Sequence, residues 1–375
     1  MIHSFLTKTS RNSTLTLAAS SRYNELYYRD KDALFRGPDG ENDLYITRET
    51  MVSAKIEWIT GFMFGGLSSE WTYSDLRGNS LQPEVGSFVE RTTFSVAGNA
   101  DKEILLDSTF TIAVQLQSRF DINSINKNAF SPLVGLILRH NNIPVHIRSS
   151  WSYNFRLPNF NEMYYLNFGT SSLRPERAQS WNLGIVWDAV SHFQVEAETF
   201  VISTNDQIIA VPKSPVTWSA QNIGNVLSRG IELSAGGEIT KQLLTGRIAY
   251  TLQTTTDETV NSLTPDKQIP YIPQEIVSGN IVVTVGKSMV GFLVNYSSFR
   301  YTLADNSEES IIPSYLQVNL FAEQKIQTGV INLTLRADCN NLFNEQYSVV
   351  LNYPMPGRGF RFGIRANLAT DSAQL

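Results

Sequence analysis

The feature that most constrains this chain is an alternation of apolar and polar residues, repeated in segments of about ten residues or more. Val145, Ile147, Trp151, Tyr153 and Phe155 share one parity, and His146, Arg148, Ser150, Ser152 and Asn154 hold the other; only Ser149 breaks the apolar set. Trp181, Leu183, Ile185 and Trp187 alternate with Ser180, Asn182, Gly184 and Val186. Ile331, Leu333, Leu335 and Ala337 alternate with Asn332, Thr334, Arg336 and Asp338. Phe360, Phe362, Ile364, Ala366 and Leu368 alternate with Arg361, Gly363, Arg365 and Asn367. A period of two marks a β-strand with one apolar and one polar face. Strands of soluble domains run to about 5–6 residues, so these are long. Aromatic residues also sit near the ends of the apolar face, where the interfacial girdles of a membrane barrel lie. In such a barrel the apolar face meets lipid and the polar face lines a lumen.

The connections alternate in length. Short turns fall at 140–143, 189–192, 239–241, 287–288 and 326–329, and longer loops at 156–178, 206–226, 255–274, 302–312 and 341–358. Prolines concentrate in the long loops (Pro158, Pro175, Pro212, Pro215, Pro265, Pro270, Pro354, Pro356), where no ladder hydrogen bond is lost. Short turns on one side and long loops on the other are the pattern of an outer-membrane barrel. The earlier part of the chain parses into strands at 13–28, 50–62, 67–76, 87–97, 107–120 and 131–139. With the later strands the total is about sixteen, an even number as in bacterial barrels. The expected fold class is therefore all-β, a transmembrane antiparallel β-barrel that occupies residues 1–375 as one domain.

Composition narrows the function classes. Charged residues are 17% of the 375, below the roughly 25% of soluble domains, while the mean hydropathy of −0.15 is one that an alternating barrel shares with soluble proteins. The longest clean apolar run, Leu133 to Leu138, is far short of the ~18 residues a spanning helix needs. A net charge of −5 without a basic stripe speaks against nucleic acid as a partner. Cys339 is the single cysteine, and the four histidines (His3, His140, His146, His192) have no ligand spacing, so no disulfide, metal site or cofactor is expected. No G-x-S-x-G elbow, P-loop or H-E-x-x-H occurs. Glu196 and Glu198 share the polar face of one strand and read as lumen lining rather than a catalytic dyad, so the chain is not expected to be an enzyme.

Three clusters carry a resemblance. The first is Arg156-Leu157-Pro158, then Phe160, Asn161, Glu162, Met163, Tyr164 and Tyr165, followed by Leu173-Arg174-Pro175-Glu176 and Ser180. The second is Asn222-Ile223-Gly224-Asn225 followed by Gly230-Ile231-Glu232. The third is Asn341-Leu342-Phe343-Asn344 with Tyr347, then Pro356-Gly357-Arg358 before the last strand. In this order and on this strand pattern they resemble the TonB-dependent receptors of the bacterial outer membrane. The resemblance covers 140–368, and the earlier part only by strand pattern.

The resemblance implies ligand-gated uptake of a scarce nutrient such as a siderophore, cobalamin or an oligosaccharide. It also implies outer-membrane lipid, a small-molecule or oligosaccharide ligand and the TonB system as partners, the last only where a TonB box and plug are supplied. It marks Pro158, Glu162, Leu173, Pro175, Glu176, Asn222, Gly224, Gly230, Glu232, Asn341, Leu342, Phe343, Tyr347, Gly357 and Arg358 as scaffold positions. Candidate ligand contacts in the external loops are Arg156, Tyr164, Tyr165, Trp218 and Tyr301; the aromatic ones equally suit the outer girdle. A complete receptor of the family has a signal peptide, a TonB box, a plug and about 22 strands. None of the first three is recognised here, so the chain is expected to be an incomplete barrel, a fragment of about 16 of the 22 strands that does not carry out energised uptake alone. Two readings stay open beside it, a stand-alone passive porin-like channel and a soluble all-β binding protein. The cargo is not legible, because loops discriminate on a shared scaffold.

Overall fold

The computed structural model describes residues 2–33, 40–125, 128–190, 192–214, 217–260, 262–328 and 331–368. Pro215, Ser191 and Gly329 of the expected connections, and the tail after Leu368, lie outside the described residues. The strands are β1 (Ile2–Thr9), β2 (Ser13–Asp30), β3 (Glu41–Thr60), β4 (Met63–Gly78), β5 (Phe88–Leu105), β6 (Phe110–Asn123) and β7 (Ala129–His140). They continue as β8 (Val145–Arg156), β9 (Glu176–Val190), β10 (Phe193–Ser214), β11 (Thr217–Thr240), β12 (Leu244–Asp257), β13 (Glu275–Val285) and β14 (Ser288–Ser297). The last are β15 (Arg300–Tyr301), β16 (Ile311–Ile312), β17 (Tyr315–Thr328), β18 (Ile331–Asn340), β19 (Ser348–Val350), β20 (Tyr353–Pro354) and β21 (Gly359–Leu368). One antiparallel sheet holds 17 of them, and β15–β16 and β19–β20 form two-stranded ribbons.

The chain divides into two compact units. The first comprises Met1–Arg139, Ser149–Trp181 and Ile202–Val226; the second comprises His140–Arg148, Asn182–Val201 and Leu227–Leu375. In the first unit the register aligns Val52, Trp71, Phe94 and Ile122 in one cross-strand row. All four are large and 40% or more exposed. The next row holds Ser53, Glu70, Ser95 and Asp121 on the opposite face. There the Arg119 guanidinium donates from Nε to both Asp121 oxygens (2.9 and 3.1 Å) and from Nη2 to Ser95 Oγ (2.8 Å) and Glu70 Oε1 (3.3 Å).

The second unit repeats the division. Phe292, Leu320, Cys339 and Phe360 form one row, and Gly291, Phe321, Asp338 and Arg361 the adjacent one. On the polar side Arg336 donates to Asp338 at 3.0 Å, and Arg148 donates to Glu198 (2.9 Å) and to Glu196. In these rows polar groups pair on one face while large apolar groups stay uncovered on the other. That inverts the economy of a soluble sheet, whose apolar face is the covered one.

The ten later strands stand where periodicity puts them, and three expectations change. The sheet has one strand more than the sixteen expected, β1, which pairs with β2 from Ile2↔Ser21 to Thr9↔Thr14. β3 begins nine residues before the expected 50, since its paired stretch from Glu41 has charged residues on both faces. Residues 206–226, expected as a loop, are almost wholly strand, continuing β10 and β11 and taking Pro212 and Trp218 into the sheet.

Gly230 shows how tightly the wall is built. A Cβ there would stand 2.4 Å from the Leu252 carbonyl oxygen and 2.8 Å from the Phe200 ring. Gly230→Ala is therefore expected to lower stability by about 1–3 kcal/mol, read as an earlier midpoint in urea unfolding followed by tryptophan fluorescence. Gly61→Ala, with open space around the new Cβ, should leave the midpoint in place.

Candidate functional site

The residues singled out by the sequence collect where the connections are long. In the first unit β8 ends at Arg156 and the chain turns through Leu157 and the fully buried Pro158 into α1 (Phe160–Tyr164), a single helical turn. Asn159 caps it in a reciprocal box: its side chain accepts from Glu162 N (2.9 Å), and Glu162 Oε2 accepts from Asn159 N (2.8 Å). Arg156 reaches Glu162 with Nη1 (3.1 Å to each oxygen) and grips Glu176 in a two-pronged pair, Nε to Oε2 at 2.7 Å and Nη2 to Oε1 at 2.8 Å. Glu176 Oε1 also accepts from Ile208 N at 2.6 Å. One guanidinium thus ties the end of β8, the helix and the start of β9 together.

The loop then folds onto an apolar core. Tyr45, Leu76, Leu81, Met163, Tyr164, Leu173, Ile208 and Ala220 are all buried and mutually packed, with Phe160, Tyr165 and Phe168 against them. Tyr165 stacks flat on Tyr45 at 3.8 Å, and Arg91 donates to the Pro158 carbonyl (2.7 Å) while lying over the Phe160 ring. Backbone bonds sew the loop down: Gln82 N to Tyr164 O (2.8 Å), Leu166 N to Ser80 O (2.9 Å) and Ala220 N to Phe168 O (2.9 Å). Burial pushes the Tyr164 and Tyr165 phenols up, so both stay protonated at neutral pH.

Asn222 supplies a second clasp. Its side-chain oxygen accepts from Arg174 N (2.9 Å), and its amide donates to Arg174 O (2.9 Å) and Asp206 O (2.7 Å). The Arg174 side chain donates to Asp206 at 2.9 and 2.5 Å, a pairing that pushes the guanidinium further up.

In the second unit Asn341 is the hub. It is 1% exposed with φ 51°, a left-handed conformation that asparagine tolerates. Its amide donates to Glu345 O (3.0 Å) and Pro356 O (3.3 Å), and its oxygen accepts from Glu345 N (2.8 Å). Asn344 accepts from Arg358 N at 2.9 Å, and a Cβ at Gly357 would stand 2.7 Å from that same oxygen. Tyr347 stacks on Tyr315 at 4.3 Å. Arg300, 4% exposed, lies over Tyr315 and donates to the carbonyls of Ser348 (3.0 Å) and Val349 (3.4 Å).

Of the five candidate ligand contacts, Arg156 is held by two carboxylates, Tyr164 lies in the core and Tyr165 is stacked. Trp218 is half-buried in β11. Tyr301, in the second unit, is half-buried in β15 with its ring edge-on to Phe299 at 5.6 Å. Among the scaffold positions, Leu342 donates from its N–H to Val318 O (2.7 Å), while Phe343 and Glu232 are exposed. Pro175 is half-buried in the connection, and Gly224 lies within β11. Arg174, Asp206, Tyr45 and Arg300 join these clusters although the sequence reading gave them no role. Arg174 stood inside a quoted motif, whereas the other three join their clusters through partners distant in the chain.

Comparison with known proteins bears on the whole assembly. The family model described as TonB dependent receptor-like, beta-barrel, matches residues 3–342. The vitamin B12 transporter BtuB of Vibrio vulnificus is 25% identical over 206 residues, 54% of this chain and 31% of that protein. BtuB of Photobacterium profundum is 23% identical over 55% of this chain and 32% of that protein. The chain therefore matches about a third of the length of these curated relatives. Among solved structures, the ferric enterobactin receptor PfeA of Pseudomonas aeruginosa, in a point-mutant form, superposes with a TM-score of 0.71 at 14% identity, over 96% of this chain and 60% of that one. The copper transporter OprC gives 0.69 at 11% identity, over 96% and 66%.

The loop core makes a quantitative demand. Leu173→Ala should cost about 2–5 kcal/mol and make the connection after β8 cleavable by a protease at limiting dose. Phe343→Ala, on an exposed side chain, should change stability by no more than about 0.5 kcal/mol.

Proposed function

The chain belongs to the TonB-dependent receptor β-barrel family, and from that premise we propose that it acts in the bacterial outer membrane in the uptake of a scarce nutrient. The observation that carries this reading is the match over residues 3–342. It is supported by a sheet whose Arg119 and Arg336 clusters lie on one face and whose rows of large apolar side chains stay uncovered on the other, the arrangement of a wall between lipid and a wet lumen. Siderophores, cobalamin and oligosaccharides are the ligand classes we propose, with the TonB system as the energy source wherever a TonB box and plug act with this wall.

Ligand contact is assigned first to Trp218 and Tyr301, which keep part of their ring surface exposed. Arg156, Tyr164 and Tyr165 hold the connection after β8, a role read from their partners in the clasp and the core. The scaffold positions act in the same way, by fixing connections.

A titration of the purified chain in detergent with ferric siderophores, cobalamin and oligosaccharides, followed by tryptophan fluorescence, tests the assignment. One class should bind, and Trp218→Ala and Tyr301→Ala should each raise its Kd about tenfold or more, as for a ring at the centre of a contact. No response to any class, or binding untouched by both substitutions, would overturn it.

A further inference from the structure

We propose that the lipid-side rim at the short-turn end of the first unit is a docking surface for anionic phospholipid headgroups. This rests on the membrane reading above. The register puts Lys8 opposite Leu15, Leu15 opposite Ile56 and Ile56 opposite Leu67, so the lysine shares the face of three exposed apolar residues. The same face carries Trp58, Gly65 and Ala100 in one row, with Lys102 and Ile104 following Ala100 along β5.

The aromatic residues there are arranged as an interface. The Trp58 indole lies over the Gly65 backbone, where a Cβ would stand 2.6 Å from its ring. The Phe62 ring sits in the turn between β3 and β4, and Lys102 Nζ lies 5.4 Å from its centroid. Arg11 occupies the neighbouring turn between β1 and β2. A belt of Trp and Phe at the end of an apolar face marks the headgroup level, and long cationic side chains reach from that level to phosphate.

Charge sorting makes the surface selective. At this end the Lys55–Glu57 pair (2.7 Å), the Asn99–Asp101 pair (3.0 Å) and the Arg139–Glu103 pair (2.5 Å) belong to the opposite face. Asp107 spends one carboxylate oxygen on the backbone N–H groups of Thr109 and Phe110 in its own turn. Among the described residues, Lys8, Arg11 and Lys102 have no carboxylate within 4 Å. Three unneutralised cations beside an aromatic belt complement a phosphodiester carrying acyl chains. The short-turn side of an outer-membrane barrel is periplasmic, which places these cations at a phospholipid leaflet.

The test uses the full chain in phosphatidylcholine vesicles with and without phosphatidylglycerol, with spin-labelled lipids reporting which headgroup associates. The expected result is a preference for phosphatidylglycerol of about fivefold or more at low salt, fading as salt screens the rim. The K8Q/R11Q/K102Q variant should lose it and still incorporate, while Lys55→Gln on the other face should keep it. Equal association of the two lipids with the native chain, or a preference unchanged in the triple variant, would overturn the docking surface. A chain that enters neither vesicle would instead overturn the membrane reading beneath it.

Discussion

A backbone amide or carbonyl in hydrocarbon has no water to turn to, so every one must be paired inside the sheet at a cost of several kcal/mol for each failure. Long strands and continuous antiparallel ladders follow from that requirement. So does the freedom of the two faces to differ completely, because the ladder consumes no side chain. One face is then free to carry Val52, Trp71, Phe94 and Ile122 toward lipid while its neighbour row pairs Arg119 with Asp121 and Glu70. The same requirement bears on the edges. Among the described pairings β1 bonds to β2 and β21 to β18, so in a bilayer the outer row of each has to be met by another strand.

Beyond the bilayer the ladder gives way to side chains. The long connections after β8 and β18 are closed by groups that satisfy backbone atoms from two or three places: Asn222 on Arg174 and Asp206, Asn341 on Glu345 and Pro356, Arg300 on Ser348 and Val349. Arg156 does the equivalent work with two carboxylates. Asparagine suits this task because its amide donates and accepts at once and its backbone tolerates a left-handed φ. These clasps explain why the motifs carry Asn, Arg, Glu, Pro and Gly.

How much of this the sequence disclosed depends on whether lipid was enforcing the pattern. From β8 onward the apolar parity is unbroken over most of each strand, and those strands were legible. β1 was not, because the adjacent Phe5 and Leu6 break its alternation. The start of β3 and the tips of β10 and β11 escaped for a related reason. Where strands rise out of the apolar layer both faces meet water, so polar residues and Pro212 enter while the hydrogen bonds continue. Periodicity reports the membrane rather than the strand. The loop core was hidden differently: Tyr164 and Tyr165 are visible as aromatics in a loop, but Tyr45, Leu76 and Ile208, which bury them, come from strands far away in the chain.

That distinction also bears on the proposed ligand contacts. A residue whose polar atoms are all engaged in holding a connection has nothing left to offer a ligand without releasing the loop. Asn341, Asn222 and Arg156 are in that position, and Tyr164 has its ring packed in the core. Under the proposed function, recognition falls to side chains outside these clasps. The buried Arg300 is engaged in the same way: it donates to the Ser348 and Val349 carbonyls and lies over the Tyr315 ring, so it joins two connections.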